Sequence, residues 1–221
     1  AVPLQVPIGA EENFQGVVDL ISNEARIWNE HDMGMTYEVI DIPADLQDTV
    51  DEYREVLLEA IAEYDESLME KYFEDPDSIS AEEMRAAIRK AVIDMKIIPM
   101  MCGSAFKNKG VQAVLDAVCA FMPAPVDIEA IEGTNPDTEE VEKRRPVVED
   151  PFASLAFKIA TDPYVGRLAF FRVYSGTLEA GSYVLNTRSG KKERISRLYQ
   201  MHSNKQNAID KVEAGDIAAG V

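Results

Sequence analysis

Cysteine is scarce in this chain, and the scarcity excludes whole classes of protein. Cys102 and Cys119 are the only two among 221 residues, and they form no CxxC pair. A disulfide scaffold and a cysteine zinc site are therefore excluded, and a reducing compartment is expected. Histidine is equally rare. His31 and His202 stand far apart without neighbouring ligand clusters, so a solvent or core role is expected of both and no metal site. Long hydrophobic runs are missing as well. The longest apolar stretches, such as residues 97–102, fall far short of the roughly 20 residues a membrane span needs. Residues 1–9 lack the basic start and apolar run of a signal peptide, and the chain does not open on Met. A fragment of a longer, cytoplasmic protein is the expectation.

Apolar residues are plentiful, at 46% with a mean hydropathy of -0.18, which is enough to build a core and excludes wholesale disorder. Charge is unevenly spread. Residues 1–100 carry 7 Lys+Arg against 24 Asp+Glu, a net of -17; residues 101–150 carry -5, and residues 151–221 carry +4. An acidic surface repels phosphate backbones and suits basic or protein partners, whereas the basic part is compatible with nucleic acid. A solvated helical surface explains the acidic half equally well.

Residues 1–42 read as short strands: 2–8, 16–21, 25–28 and 36–42. After Pro43 the period changes. Leu46, Val50, Tyr53, Leu57, Ile61 and Tyr64 recur every three or four positions and predict one apolar stripe on an acidic helix over 44–64. A short helix is expected over 67–73, and a third over 80–95 behind a capping box of Ser80 and Glu83. An apolar strand, 97–102, then leads through a small-residue loop, 103–110, into a helix over 111–121, as at the edge of an α/β sheet. Residues 126–150 are acidic, hold Gly133 and Asn135-Pro136, show no periodicity, and predict a linker. From 151 on, alternating segments at 152–160, 167–174, 182–186 and 194–201 are punctuated by glycines about every ten residues, which predicts a small antiparallel barrel. The chain stops within an apparent strand, so an unpaired edge is expected there.

The chemistry that is missing is equally specific. None of the twelve glycines opens a GxxxxGK[ST] phosphate loop, and none follows an Asp by three residues as a DxxG element requires. Asn204-Lys205-Gln206-Asn207 is a near miss to the NKxD base-recognition motif. Asp and Glu are too numerous for a catalytic pair to be singled out. Met33, Met35, Met100 and Met101 are expected as core fillers.

One segment stands out. Cys102-Gly103-Ser104-Ala105-Phe106-Lys107-Asn108-Lys109-Gly110-Val111-Gln112 resembles the fifth guanine-recognition motif of the elongation factor G family of ribosomal GTPases. Pro7-Ile8-Gly9 with Phe14–Leu20 resembles the opening of that family's inserted G′ subdomain. Phe171–Leu178, Met201–Asn204 and Ala214–Ile217 resemble its second domain. The resemblance runs the length of the chain in the family's order. It implies a multidomain α+β chain: an α/β G-domain remnant with an inserted α+β subdomain over 1–125, a linker over 126–150, and a truncated antiparallel translation-factor β-barrel over 151–221.

The resemblance also implies roles. Ser104, Ala105 and Phe106 would meet the guanine base, the Ala105 N–H reaching the base oxygen past a small side chain. In the family the phosphate, switch and NKxD motifs lie ahead of a segment like residues 1–9. GTP or GDP with Mg2+ is thus expected in the full-length protein and no nucleotide on this chain alone, which is expected to lack GTPase activity. Arg188, Lys191, Lys192, Arg194 and Arg197 are candidates for contact with small-subunit ribosomal RNA, or a solubilising hairpin tip. Glu52, Glu55 and Glu59 on the acidic helix are candidates for the ribosomal stalk protein. The expected role of the parent is GTP-driven movement of tRNA and mRNA on the ribosome, with ribosome recycling. A tetracycline-resistance protection protein, a release-factor GTPase, and a free-standing acidic adaptor with a β-barrel are the rival readings.

Overall fold

The computed structural model describes every residue except 30, 128–129, 136–137, 163–165 and 204. Pro136 of the expected linker turn and Asn204 of the NKxD near miss thus lie outside the described residues. Two compact units divide the chain, Ala1–Pro123 and Ala124–Val221.

The first unit begins by splitting what reads as one strand. β1 (Val2–Pro3) and β2 (Gln5–Ile8) are separated at Leu4 and enter different sheets. β2 pairs antiparallel with β3 (Gly16–Asp19), β3 with β4 (Glu24–Trp28), and β4 with β5 (Tyr37–Ile40), giving a four-stranded meander. Gly16 permits the close approach of β3 to β4, since a Cβ there would sit 1.9 Å from the Arg26 carbonyl oxygen. Three helices follow: α1 (Gln47–Ala62), α2 (Glu66–Glu74) and α3 (Ala81–Ile93).

Helix starts are set by side chains. Asp65 accepts hydrogen bonds from the Ser67 and Leu68 N–H groups, and the Ser80–Glu83 capping box is formed in both directions. α1 buries Val50, Leu57, Leu58 and Ile61. Tyr53, expected in that stripe, is 41% exposed, because its position drifts off the narrow buried face as the helix turns. The core joins these helices to Val6 and Val18 of the strands and to Leu4 and Leu20 just outside them.

β6 (Pro99–Met100) is far shorter than the expected 97–102, because it finds only the two-residue β1 as a parallel partner. α4 (Val111–Phe121) buries Phe121 alone and leaves Val114, Leu115 and Val118 exposed.

In the second unit, the stretch expected as a structureless linker carries a hairpin, β7 (Ile131–Thr134) with β8 (Val141–Arg144). Its strands bury no residue, so no apolar alternation announces it; the Glu132–Lys143 ion pair at 2.8 Å joins them instead. The chain then turns at an Arg145–Asp150 pair, 2.7 Å, and the Gly176 N–H donates to the Val147 oxygen at 2.9 Å. The described residues of 126–150 therefore fall within the second unit.

The remaining strands form one large sheet and two short ladders. β9 (Ala153–Asp162), β10 (Gly166–Ser175), β14 (Leu198–His202), β15 (Lys205–Ile209) and β17 (Ile217–Gly220) make a five-stranded antiparallel sheet in the order β15-β14-β17-β10-β9, while β11 (Thr177–Glu179) pairs with β16 (Lys211–Glu213) and β12 (Tyr183–Asn186) with β13 (Lys191–Arg194). A bulge at Phe170/Phe171 turns Phe171 and Val173 into the core with Leu178, Leu198, Val212 and Ala218. The last strand is not an edge, contrary to expectation: β17 lies between β10 and β14 and is paired to both, and β15 and β9 are the edges. Its Ala218-Ala219-Gly220 run is small enough for both neighbours to pack close, a Cβ on Gly220 lying 3.3 Å from the Phe171 ring.

Candidate functional site

The loop between β6 and α4 is closed by two backbone bonds. The Ser104 N–H donates to the Lys109 oxygen at 2.9 Å, and the Lys109 N–H returns to the Ser104 oxygen at 3.0 Å. Inside this bridge the Asn108 N–H donates to the Ala105 oxygen at 3.1 Å, with Asn108 in the left-handed region at φ 54°. Gly110 caps α4 at φ 84°, where its missing Cβ spares the Cys102 carbonyl oxygen, which would lie 3.1 Å away. The N–H groups of Ala105, Phe106 and Lys107 have no acceptor among the described residues. Ala105 is exposed and Phe106 is fully so. The loop thus presents consecutive unpaired donors beside a small side chain, an arrangement able to hold the oxygen of a flat ligand.

Side chains from the same segment anchor it from beneath. Lys109, 3% exposed, donates from Nζ to the Phe14 oxygen at 3.1 Å, and Lys107 Nζ to the Glu12 oxygen at 2.9 Å. Cys102 packs on a small cluster of Phe14, Val17 and Trp28, and burial pushes its thiol up to about 11. These anchors, and the loop at Met33–Met35 beside them, were not visible from the sequence. Met33 and Met35 are not core fillers: they are 77% and 69% exposed, because Met33 and Gly34 take positive φ and turn the segment outward; Met100 is also exposed.

The five basic residues do not form one surface. Arg194 lies opposite Tyr183 and Lys192 opposite Leu185, so these four share one face of the β12–β13 hairpin, and Tyr183 and Leu185 are both exposed. Lys191 shares the other face with Val184, Asn186 and Glu193, and an Asn186–Glu193 hydrogen bond of 2.8 Å lies on that side. Arg188 sits in the turn, where Asn186 Oδ1 accepts its N–H at 3.1 Å. Arg197 lies beyond the hairpin and donates to the Tyr199 hydroxyl at 3.3 Å. Glu52, Glu55 and Glu59 are all exposed on α1. Both histidines are exposed, and no group of three His, Cys, Asp or Glu suited to a metal ion occurs among the described residues. No helix among them is long and apolar enough to cross a membrane.

A family model described as elongation factor G domain 2 matches residues 151–219. Elongation factor G of Amoebophilus asiaticus (strain 5a2) is 66% identical over 220 residues, covering all of this chain and 31% of that protein. That of Cytophaga hutchinsonii is 64% identical over 221 residues, covering 100% and 32%. The chain belongs to the elongation factor G family. Elongation factor G of Karelsulcia muelleri (strain GWSS) agrees, at 55% identity over 99% of the chain and 32% of the relative. The chain therefore spans about a third of the length of the curated elongation factor G relatives it matches. A crystal structure of a protein from Thermus thermophilus matches with a TM-score of 0.73 at 23% identity, covering 100% of this chain and 29% of that one, a likeness of fold. All three relatives carry the name elongation factor G rather than that of a tetracycline-resistance protection protein or a release-factor GTPase.

Proposed function

We propose that this chain supplies the guanine-recognition loop, together with two ribosome-facing surfaces, of a cytoplasmic GTPase that drives tRNA and mRNA movement on the ribosome. The observation that carries the reading is the Ser104–Lys109 bridge with the unpaired N–H groups of Ala105 to Lys107 above it. The Ala105 N–H is the donor to the base oxygen, and the methyl side chain leaves room for the base to approach. Ser104 holds the bridge, and the exposed Phe106 ring borders the base. These donors suit a base edge; they do not suit a triphosphate with Mg2+, for which the chain has neither a phosphate loop nor a described carboxylate cluster. When bound, GTP supplies the phosphoryl group whose hydrolysis powers the cycle, and to nucleotide recognition this chain contributes base selectivity.

Two surfaces extend the proposal. Tyr183, Leu185, Lys192 and Arg194 put an aromatic ring, an aliphatic side chain and two cations on one hairpin face, a composition suited to RNA phosphates and exposed bases. The carboxylates Glu52, Glu55 and Glu59 on α1 suit a basic protein partner such as the ribosomal stalk.

Replacing Ala105 by Pro in full-length elongation factor G carrying this sequence deletes the donor. We expect GDP affinity to fall about tenfold, the cost of losing one buried hydrogen bond. Unchanged affinity in equilibrium titration, with an unchanged melting temperature, would remove the base-loop assignment. The isolated chain is expected to bind neither GTP nor GDP saturably at micromolar concentrations, which calorimetry checks.

A further inference from the structure

The segment that forms the base loop is tied to the four-stranded meander by four side chains, and every acceptor is a main-chain oxygen far earlier in sequence. Lys107 Nζ reaches Glu12, and Lys109 Nζ reaches Phe14, both 95 positions back. Asn108 Nδ2 donates to the Met33 oxygen at 3.1 Å, 75 positions back, and Gln112 Nε2 to the Gly34 oxygen at 3.3 Å. Two of the meander's three loops, one after β2 and one after β4, thus hold the base-loop segment.

The fit is steric as well as polar. Gly34 takes φ 73°, and a Cβ on it would lie 2.5 Å from the Asn108 oxygen and 2.9 Å from the Lys107 oxygen. Those two oxygens belong to the turn that displays the Ala105, Phe106 and Lys107 N–H groups. Lys109 is the deepest anchor, since a cation 3% exposed stays in place only while its acceptor does.

We infer that the meander positions the base loop, with Gly34, Asn108 and Lys109 as positioning residues that set guanine selectivity without touching the base. The inference rests on the base-loop reading above. It makes the meander a coupling element: anything that shifts the loops at 11–14 or 31–36 shifts nucleotide affinity.

The test uses Gly34→Ala, Asn108→Ala and Lys109→Met, with Lys109→Arg retaining the cation. In the 221-residue chain, amide exchange at Ser104, Asn108 and Lys109 should quicken in the first three variants and recover toward wild type in Lys109→Arg. In the full-length factor, the ratio of GDP to ADP affinity should fall about three- to tenfold, the range of one lost hydrogen bond. General destabilisation would lower both affinities together and leave the ratio fixed. Unchanged exchange at the three amides overturns the clamp whatever the loop binds. Faster exchange with an unchanged ratio also overturns it if Ala105→Pro does lower GDP affinity. If Ala105→Pro has no effect either, the base-loop reading itself has failed. Should Gly34→Ala not fold, Asn108→Ala, which removes one surface-side bond, decides alone.

Discussion

At the scale of single residues, the two cysteines report how the 103–110 loop is seated. Cys102 rests against the Phe14, Val17 and Trp28 cluster, and burial alone lifts its thiol to about 11, while Cys119 is exposed on α4. At pH 8 about one Cys102 in a thousand is then the reactive thiolate. Mass spectrometry after brief iodoacetamide treatment should find Cys119 modified and Cys102 intact, with Cys102 reacting once the pH passes about 10. Equal labelling at pH 8 would mean the loop is not packed on that cluster. The small-residue loop at 103–110, between a strand and a helix, was legible as a local pattern, whereas the role given to Ser104 and Ala105 came from the family resemblance alone. Asn108 and Lys109 were not legible as anchors, because their acceptors are main-chain oxygens that any residue could supply. Met33 and Met35 misled for a related reason: apolar character predicts burial only where the backbone turns the side chain inward.

Among the elements, helix ends were the most readable and ladders the least. The Ser80–Glu83 box follows from four consecutive residues, but the partner that strengthens it, Lys71 on α2, does not. Hydrogen bonding to Lys71, then to Ser80, lowers the Glu83 carboxyl from 4.5 to about 2. Because the folded value lies below the unfolded one, this contribution is present above about pH 4.5 and is lost as pH falls toward about 2. A carboxyl titration by NMR should place Glu83 well below an ordinary glutamate, and Lys71→Met should move it back up. An ordinary value with Lys71 intact would mean that α2 and α3 are not joined there. The β7–β8 hairpin escaped detection because neither strand buries a residue, and the central place of β17 escaped because strand order is a long-range property. The β12–β13 hairpin shows what pairing adds. Five cations look equivalent in sequence, yet register puts Lys192 and Arg194 with Tyr183 and Leu185 and leaves Lys191 across the ribbon. Lys192→Ala with Arg194→Ala should weaken small-subunit binding by the full-length factor and flatten its salt dependence by about 0.7–0.9 per lost phosphate contact. Lys191→Ala should do less; an equal effect would sink the one-face assignment.

Over the whole molecule, the charge boundary falls later than the fold boundary. The first 100 residues carry -17 and residues 151–221 carry +4, while the acidic 126–150 stretch lies in the second unit, which starts at Ala124. The acidic first unit therefore suits basic or protein partners, and only the strands from residue 151 on offer a basic surface. Replacing Glu52, Glu55 and Glu59 by Gln should weaken stalk-protein binding and leave RNA binding unchanged, as read in parallel pull-down titrations. Loss of RNA binding instead would reverse the two surfaces. The central claim, however, concerns one N–H group and one oxygen. The most direct measurement is a two-by-two cycle of affinities: full-length factor with Ala105 or Pro at that position, each titrated with GDP and with 2-aminopurine riboside diphosphate, which lacks the 6-oxygen. If the Ala105 N–H meets that oxygen, the wild type prefers GDP by about 1–3 kcal/mol and Ala105→Pro erases most of the preference. If the preference survives Ala105→Pro undiminished, the loop does not read the base.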